Sequence, residues 1–388
     1  VLVVDHDLFF YGSQQYLYRQ APGLERRGVE LILAGPANGD LGRVWRESGR
    51  QHLPIKTIRY RGLTTESGRP SPVRMVRELY RVLRGAWRTA RLARRVGADV
   101  IAANSYGWAF NEVVLAGWLA RRPTVVHLHM QVESGPVRYA RAAAVLGASA
   151  TIAVSDAVVR SLPHRARHRV HVVQSGVDTE RFAPGPARPG LRAELASDPK
   201  APVILVMARL VPGKGIDDVI QAIASLPDHL GHTQLAVAGG APDPNYEATL
   251  RQLGTRLLSD RVRFLGNRVD VSDLLRAADV LVLASAAEGL GLCVLEAQAT
   301  GTPSIAYPAG GTAELIDHEV TGLLARQGDH HDLAHQLTRL LDDSALAERL
   351  TDAAREQVLR LRTMDSQADA HAAILDQVWP RRRQGTNL

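Results

Sequence analysis

The sequence predicts an α/β fold made of two doubly wound domains. Three observations lead there. At 388 residues the chain exceeds the roughly 250–300 residues at which one hydrophobic core stops growing. Short apolar runs rich in Val, Ile and Leu alternate with segments of helical period, the pattern of parallel sheets covered by helices. That alternation runs through twice. The Pro- and Gly-dense stretch Phe182-Ala-Pro-Gly-Pro-Ala-Arg-Pro-Gly190 separates the two series as a linker, so the domains are expected at 1–185 and 186–365.

Taken in order, the first series has strand-like runs at Val1–Val4, Val29–Leu33, Asp99–Ala102, Thr124–Leu128, Ala150–Val154 and Val170–Val173. Helical runs lie between several of them, including Gln14–Arg27 and Pro72–Val96. The second series restarts at Val203–Met207 and continues at Gln234–Ala238, Val262–Leu265, Val280–Leu283 and Pro303–Ala306. A last helical run covers Ser366–Trp379, and the polar end, 380–388, reads as disordered. Within Pro72–Val96, apolar residues recur at Val73, Val76, Leu79, Leu83, Trp87 and Ala90. Arginines recur at 74, 77, 81, 84, 88, 91 and 95. One apolar stripe beside one cationic stripe is an amphipathic helix. The plain expectation is that its apolar stripe packs on the sheet. The same pattern also suits anionic lipid or a phosphate-bearing ligand.

Composition narrows the class. No run approaches the ~20 apolar residues of a membrane span, and no leader is read at the start. The single Cys293 excludes an intrachain disulfide, and a cytoplasmic enzyme is expected, with the Arg-rich helix a candidate for peripheral contact at the inner membrane face. The net charge is +7. Residues 1–185 carry 27 basic and 14 acidic side chains, so the excess is all in the first half. It centres on Lys56–Arg95, with twelve basic residues and two acidic ones. Only Lys56, Lys200 and Lys214 are lysines. No nucleic-acid-binding pattern is read.

The densest chemistry lies at Glu288-Gly-Leu-Gly-Leu-Cys-Val-Leu-Glu296. It follows the strand-like Ala278–Ser285 and opens a helical run, Leu292–Ala299. One carboxylate thus falls at a strand's carboxyl edge, where open α/β sheets bind ligands. The other falls inside the next helix. The helix start at Gly289, Gly291 and Leu292 offers backbone N–H groups and a positive dipole end to a phosphate. Arg209 and Lys214 follow another buried strand in Met207-Ala-Arg-Leu-Val-Pro-Gly-Lys-Gly215. Fixed cations there suit the negative charge of a phosphate-bearing ligand. Arg grips phosphate through two N–H groups and Lys acts as a point charge.

The E-x7-E spacing, with R-L-x-x-x-K-G at 209–215, resembles the retaining glycosyltransferases of the GT-B fold, family 4 (glycosyltransferase group 1). The remaining matches come in the family's order. Gly12 stands in the loop after the first strand, where the family has a glycine pair; here Ser13 follows it. His129 ends the run Thr124–His129, where the family carries a histidine near the donor sugar; His127 points the same way by strand alternation. Gly310-Gly-Thr-Ala-Glu314 resembles the G-G-x-x-E segment beside the nucleotide, and Ser175-Gly-Val-Asp178 a structural turn. Asn267 falls on the loop that cradles the base. Phe9, Phe10, Tyr11, Tyr16 and Tyr18 cluster near Gly12, suited either to an acceptor ring or to core packing.

The resemblance implies two Rossmann-like domains with an inter-domain cleft. The N-terminal one would bind the acceptor and be joined by the returning helix 366–380; the C-terminal one would bind the nucleotide sugar. Glu288 would position the donor sugar and Glu296 would hold the ribose. The reaction would be retaining transfer of a hexose-like sugar from a nucleoside diphosphate, UDP or GDP foremost, to a glycan, glycolipid or natural-product acceptor. No cofactor and no metal are implied, because Arg209, Lys214 and the helix dipole stand in for a cation. Asp5-His-Asp7 fits a D-x-D metal pattern but precedes the glycine loop, and Asp329-His-His-Asp332 reads as a helix cap. Three alternatives remain: a sugar-nucleotide epimerase, a pyridoxal-dependent phosphorylase, and a non-catalytic sugar-nucleotide-binding or membrane-docking protein. The phosphorylase lacks a spare lysine, since Lys214 serves phosphate and Lys56 and Lys200 read as surface residues.

Overall fold

In the computed structural model, which describes residues 1–10, 12–56, 71–104, 109–131 and 136–380, the strands form two separate parallel sheets. Tyr11 and the polar end, 381–388, lie outside the described residues. The first sheet holds β1 (Leu2–Val4), β2 (Ile32–Pro36), β3 (His52–Ile55), β4 (Ile101–Ala103), β5 (Thr124–Leu128), β6 (Ala150–Ala153) and β7 (Val170–Val172), in the order β3-β2-β1-β4-β5-β6-β7. The second holds β8 (Val203–Met207), β9 (Gln234–Ala238), β10 (Val262–Gly266), β11 (Val280–Leu283), β12 (Ser304–Ala306) and β13 (Leu323–Leu324), in the order β10-β9-β8-β11-β12-β13. Each order runs outward from a central strand, then reverses. The reversal opens a crevice at the carboxyl ends, between β1 and β4 and again between β8 and β11.

The chain divides into Val1–Gln174 with the segment from Met364 on, and Ser175–Thr363. The division precedes the Pro-Gly stretch because 175–190 already packs with the second unit: Val177 bridges Thr363 and Phe182 is fully buried. In the first unit the core gathers Leu17, Leu24, Leu33, Trp45, Val125 and Ile152. The Met364–Val378 helix adds Ala372, Ile374 and Leu375 to it. That helix lies so close to Gly12–Arg26 that a Cβ on Gly23 would meet Ala368 Cβ at 2.8 Å. In the second unit Val206, Ile220, Val237, Val282, Ile305 and Leu337 share one core.

Two strands escape the sequence pattern for physical reasons. His52-Leu-Pro-Ile55 is an edge strand, half-buried or exposed throughout, so it carries no apolar run and tolerates a proline. Leu323–Leu324 is two residues long.

The Arg-rich helix, Pro72–Arg95, starts where expected: Ser71 Oγ accepts the Arg74 N–H and Pro72 occupies the first turn. Its orientation overturns the expected packing. It buries Glu78, Val82, Gly85, Ala86, Thr89, Ala90 and Ala93, and packs against the Ala109–Ala120 helix. Of the apolar stripe only Ala90 is buried; Val73 is 70% exposed, Val76 69%, Leu79 58%, Leu83 50% and Trp87 53%. Small residues allow the two helices to approach closely, and that contact outranks the burial of the large ones.

Candidate active site

At the β8/β11 crevice the chain brings Lys214 and Glu288 together. Lys214 Nζ donates to Glu288 Oε1 at 2.5 Å, with both side chains mostly buried, 20% and 17% exposed. The contact is set by backbone. Gly215 has φ +64°, and a Cβ there would lie 2.0 Å from the Ala284 carbonyl oxygen. Only glycine lets the loop after β8 sit directly on the end of β11. Ala286 N–H donates to Gly213 O at 2.8 Å and closes the same seam. Arg209 is exposed at the carboxyl end of β8, while its neighbour Leu210 donates its N–H to Gly240 O at 2.9 Å.

Beyond Glu288 the chain turns at Gly291, φ +98°, into the Leu292–Thr300 helix. A glycine N-cap brings no side-chain acceptor, so no side chain caps the first N–H groups of this helix. Gly289 is buried, Leu292 is half-buried and Glu296 is buried in the helix. Burial, then the charges of Glu288 and Glu296, push the Cys293 thiol up, and Lys214 opposes them. Both carboxylates and the lysine therefore act on one helix start. Gly310–Glu314 forms a short 3-10 turn whose Gly311 N–H donates to Glu288 O at 3.3 Å. Asn267 is exposed beyond β10 and packs on Gly240 at the end of β9. It stands on the far side of β8 from Glu288. Asp178 closes a turn by accepting from Glu180 and Arg181 N–H. Asp329 caps the His330–Asp342 helix through His331 and Asp332 N–H, as its position in the sequence suggests.

The first unit holds Gly12 and His129. Gly12 is exposed at the first residue of its helix. Ser13 turns inward, where Oγ donates to Gln14 Oε1 at 3.0 Å, so the extra side chain does not crowd the loop. Asn104, after β4, donates through Nδ2 to Asp5 Oδ2 at 2.8 Å and to Ser13 O at 3.2 Å. That fixes its amide, so Oδ1 accepts from His129 Nε2 at 2.9 Å. Burial, then His127, hold the His129 pKa down to about 3; burial holds His127 down to about 4. His129 is thus a neutral, oriented ring. It offers hydrogen bonds and carries no charge near neutral pH. Tyr16 is buried against both rings and against His371, with centroid distances of 5.0 Å to His129, 6.1 Å to His127 and 6.4 Å to His371. Tyr18 packs edge-on to Phe10 at 5.9 Å, and Phe9 is exposed. Most of the described aromatic cluster is therefore packing.

One network was not anticipated from sequence. His6 Nε2 contacts Glu112 Oε2 at 3.1 Å, and Thr89 Oγ1 donates to Glu112 Oε1 at 2.8 Å. Burial works against a charged His6, but the Glu112 hydrogen bond and the charges of Glu112, Asp5 and Asp7 outweigh it and raise the pKa. Burial, then Asp5, raise Asp7 to about 6. The available signal was Glu112 itself, a lone acid in the apolar helix Ala109–Ala120.

Residues 188–357 match the family model for glycosyl transferases group 1, and residues 10–181 match that for glycosyltransferase family 4. This chain belongs to the group 1 glycosyltransferases. A D-inositol 3-phosphate glycosyltransferase of Saccharomonospora viridis is 33% identical over 300 residues, covering 69% of each chain. One from Mycobacterium sp. (strain KMS) is 38% identical over 190 residues, 47% of this chain and 41% of its own length; the match to that relative thus spans less than half of it. Anabaena HepE, solved in complex with UDP, superposes with a TM-score of 0.80 over 97% of this chain and 99% of its own at 24% identity. That likeness places the chain among GT-B folds.

Proposed function

We propose that this group 1 glycosyltransferase moves a hexose-like sugar from a nucleoside diphosphate to an acceptor hydroxyl with retention and without a metal. The Lys214–Glu288 pair at the β8/β11 crevice carries the reading. Arg209, Lys214 and the uncapped helix start at Gly291–Leu292 face the donor's diphosphate. They stabilise the charge that grows as the bond from C1 to the phosphate oxygen breaks. The acceptor oxygen bonds C1 from the same face, and its proton passes to the departing phosphate oxygen. Glu288, held by Lys214, positions the donor and forms no bond to it. Glu296 takes the ribose, Asn267 lies at the base, and neutral His129 hydrogen-bonds a sugar hydroxyl. The N-terminal unit binds the acceptor, a glycan, glycolipid or natural-product intermediate. The donor is UDP- or GDP-linked; the Anabaena neighbour was solved with UDP.

A melting-temperature panel with UDP-, GDP-, ADP- and TDP-sugars tests the donor site. One base should stabilise wild type, by about 2.7 kcal/mol at a hundredfold excess over Kd. Glu296→Ala and Arg209→Ala should abolish the shift. Wild type unmoved by every sugar nucleotide sinks the reading. Free epimerised donor released without an acceptor would instead favour an epimerase.

The exposed stripe supports a second element, peripheral binding to an anionic lipid surface. Val76, Leu83 and Trp87 face outward beside arginines 77, 84, 88 and 91, and Arg91 stacks over Trp87 at 4.7 Å. An apolar face flanked by cations is what an anionic interface attracts. The chain should co-sediment with phosphatidylglycerol vesicles and not with phosphatidylcholine. Leu83→Ser with Trp87→Ser should release it; equal sedimentation of that variant refutes the contact.

A further inference from the structure

A cavity of about 750 Å³ lies wholly within the N-terminal unit, between the Arg-rich helix, the end of β3 and the loop after β1. Its size suits a drug- or sugar-sized ligand. Arg77, Arg81, Arg84 and Arg88 line one wall. Their spacing puts all four on one face of the Pro72–Arg95 helix. Lys56 adds a fifth cation from the end of β3. Among the described residues, Glu112 is the one carboxylate in the lining. It is already engaged by His6 and Thr89, which line the cavity with it. Arg81 pairs with Glu78 at 2.6 Å, but among the described residues Arg77, Arg84 and Arg88 have no carboxylate within ion-pair distance. Like charges three and four residues apart on a helix repel. A bound anion removes that cost.

We propose that this cavity is a phosphate-ester site. The arginines grip the phosphate through paired N–H groups, and the His6–Glu112–Thr89 network meets the hydroxyls of the group it esterifies. A neutral sugar would leave the cationic wall uncompensated. Identifying the ligand as the acceptor rests on the glycosyltransferase reading above; the phosphate site does not. The ester can be a free sugar phosphate or the head group of a phospholipid, since both present the same anion.

Calorimetric titration of the full chain tests this with three probes: glucose 1-phosphate, glycerophosphoinositol as a soluble head group, and glucose. At least one phosphate ester should bind, more weakly as salt rises, while glucose does not. The tighter ester names the source. Arg84→Gln with Arg88→Gln should weaken binding tenfold or more and leave the melting shift given by the stabilising sugar nucleotide unchanged, which shows that the variant is folded. If that double variant fails to fold, Lys56→Gln replaces it with the same expectation in smaller degree. No binding of either ester, or equal binding by the folded variant, overturns the proposal. A wild type that binds a phosphate ester but no sugar nucleotide would instead remove the transferase reading and leave the phosphate site standing.

Discussion

The Lys214–Glu288 contact separates a positioning carboxylate from a nucleophilic one. At 2.5 Å the gross attraction is about 7 kcal/mol at an effective dielectric near 20. Both side chains retain about a fifth of their exposure, and desolvation and ordering offset most of that attraction. Charged hydrogen bonds measured by mutation retain ~1.5–3 kcal/mol, so the coupling should be about 2 kcal/mol, roughly thirtyfold in rate. On the proposed reaction, removing Lys214 also removes a cation at the leaving diphosphate, for which ~10²–10³ in kcat is typical. Nucleoside diphosphate release from the donor would be followed for Lys214→Met, Glu288→Gln and the double variant. Glu288→Gln should slow release about thirtyfold, and Lys214→Met about 10²–10³-fold. The double variant should fall close to Lys214→Met alone, because Glu288 can position the donor only while the lysine holds it. Complete loss of turnover in Glu288→Gln, with a glycosylated Glu288 trapped in wild type, would refute the reasoning. So would two losses that simply multiply.

Two further outcomes follow from geometry and protonation. Gly215→Ala combines a left-handed φ, costing ~1–2 kcal/mol, with a Cβ 2.0 Å from Ala284 O, so it should destabilise by more than ~2 kcal/mol and lose the sugar-nucleotide melting shift. Gly213→Ala, at φ +84° with open space around it, should cost only the backbone strain and keep the shift; equal damage from both would remove Gly215's special role. The second concerns acid stability. Burial lowers the pKa of His127 to about 4, of His129 to about 3, and of His371 well below the usual value. As pH falls below ~6.5 the unfolded chain takes up protons that the folded cluster refuses, so stability is full above that pH and drops towards the folded values, by up to ~1.4 kcal/mol per pH unit per histidine. Melting at pH 7, 6 and 5 should show that fall, and His371→Gln should flatten it; a flat wild-type profile contradicts the neutral cluster.

How much was legible tracks how locally each feature is encoded. Thr124–Leu128, Val203–Met207, Gln234–Ala238 and Val280–Leu283 are buried end to end or nearly so, and a mostly apolar run marks each of them. The proposed donor side lies in two short segments, 207–215 and 288–296, which the structure joins through Lys214 and Glu288. Each keeps its residues within one strand-end loop, so the motifs stay contiguous in sequence and the family resemblance exposes them. The cavity in the N-terminal unit is different. His6, Lys56, Thr89 and Glu112 come from four separate segments, each a single ordinary residue, and only the sheet order brings β1, β3 and the two helices together.

The Arg-rich helix shows why that difference has a physical cause. Hydrophobic periodicity weighs residues by size, so Val73, Val76, Leu83 and Trp87 dominate the pattern. Helix contact weighs closeness of approach, and Gly85, Ala86, Ala90 and Ala93 decide it. Once those small residues turn inward, the large apolar ones must face out, and the arginines fall on the flank between, along the cavity. One helix thus presents an apolar stripe and a cationic wall on adjoining faces. A ligand carrying a phosphate next to an acyl tail would satisfy both at once, whereas a soluble phosphate ester would satisfy only the wall. If the head-group probe binds more tightly than glucose 1-phosphate, and vesicle release by Leu83→Ser with Trp87→Ser leaves head-group binding intact, the two faces serve one lipid-borne acceptor through separable contacts.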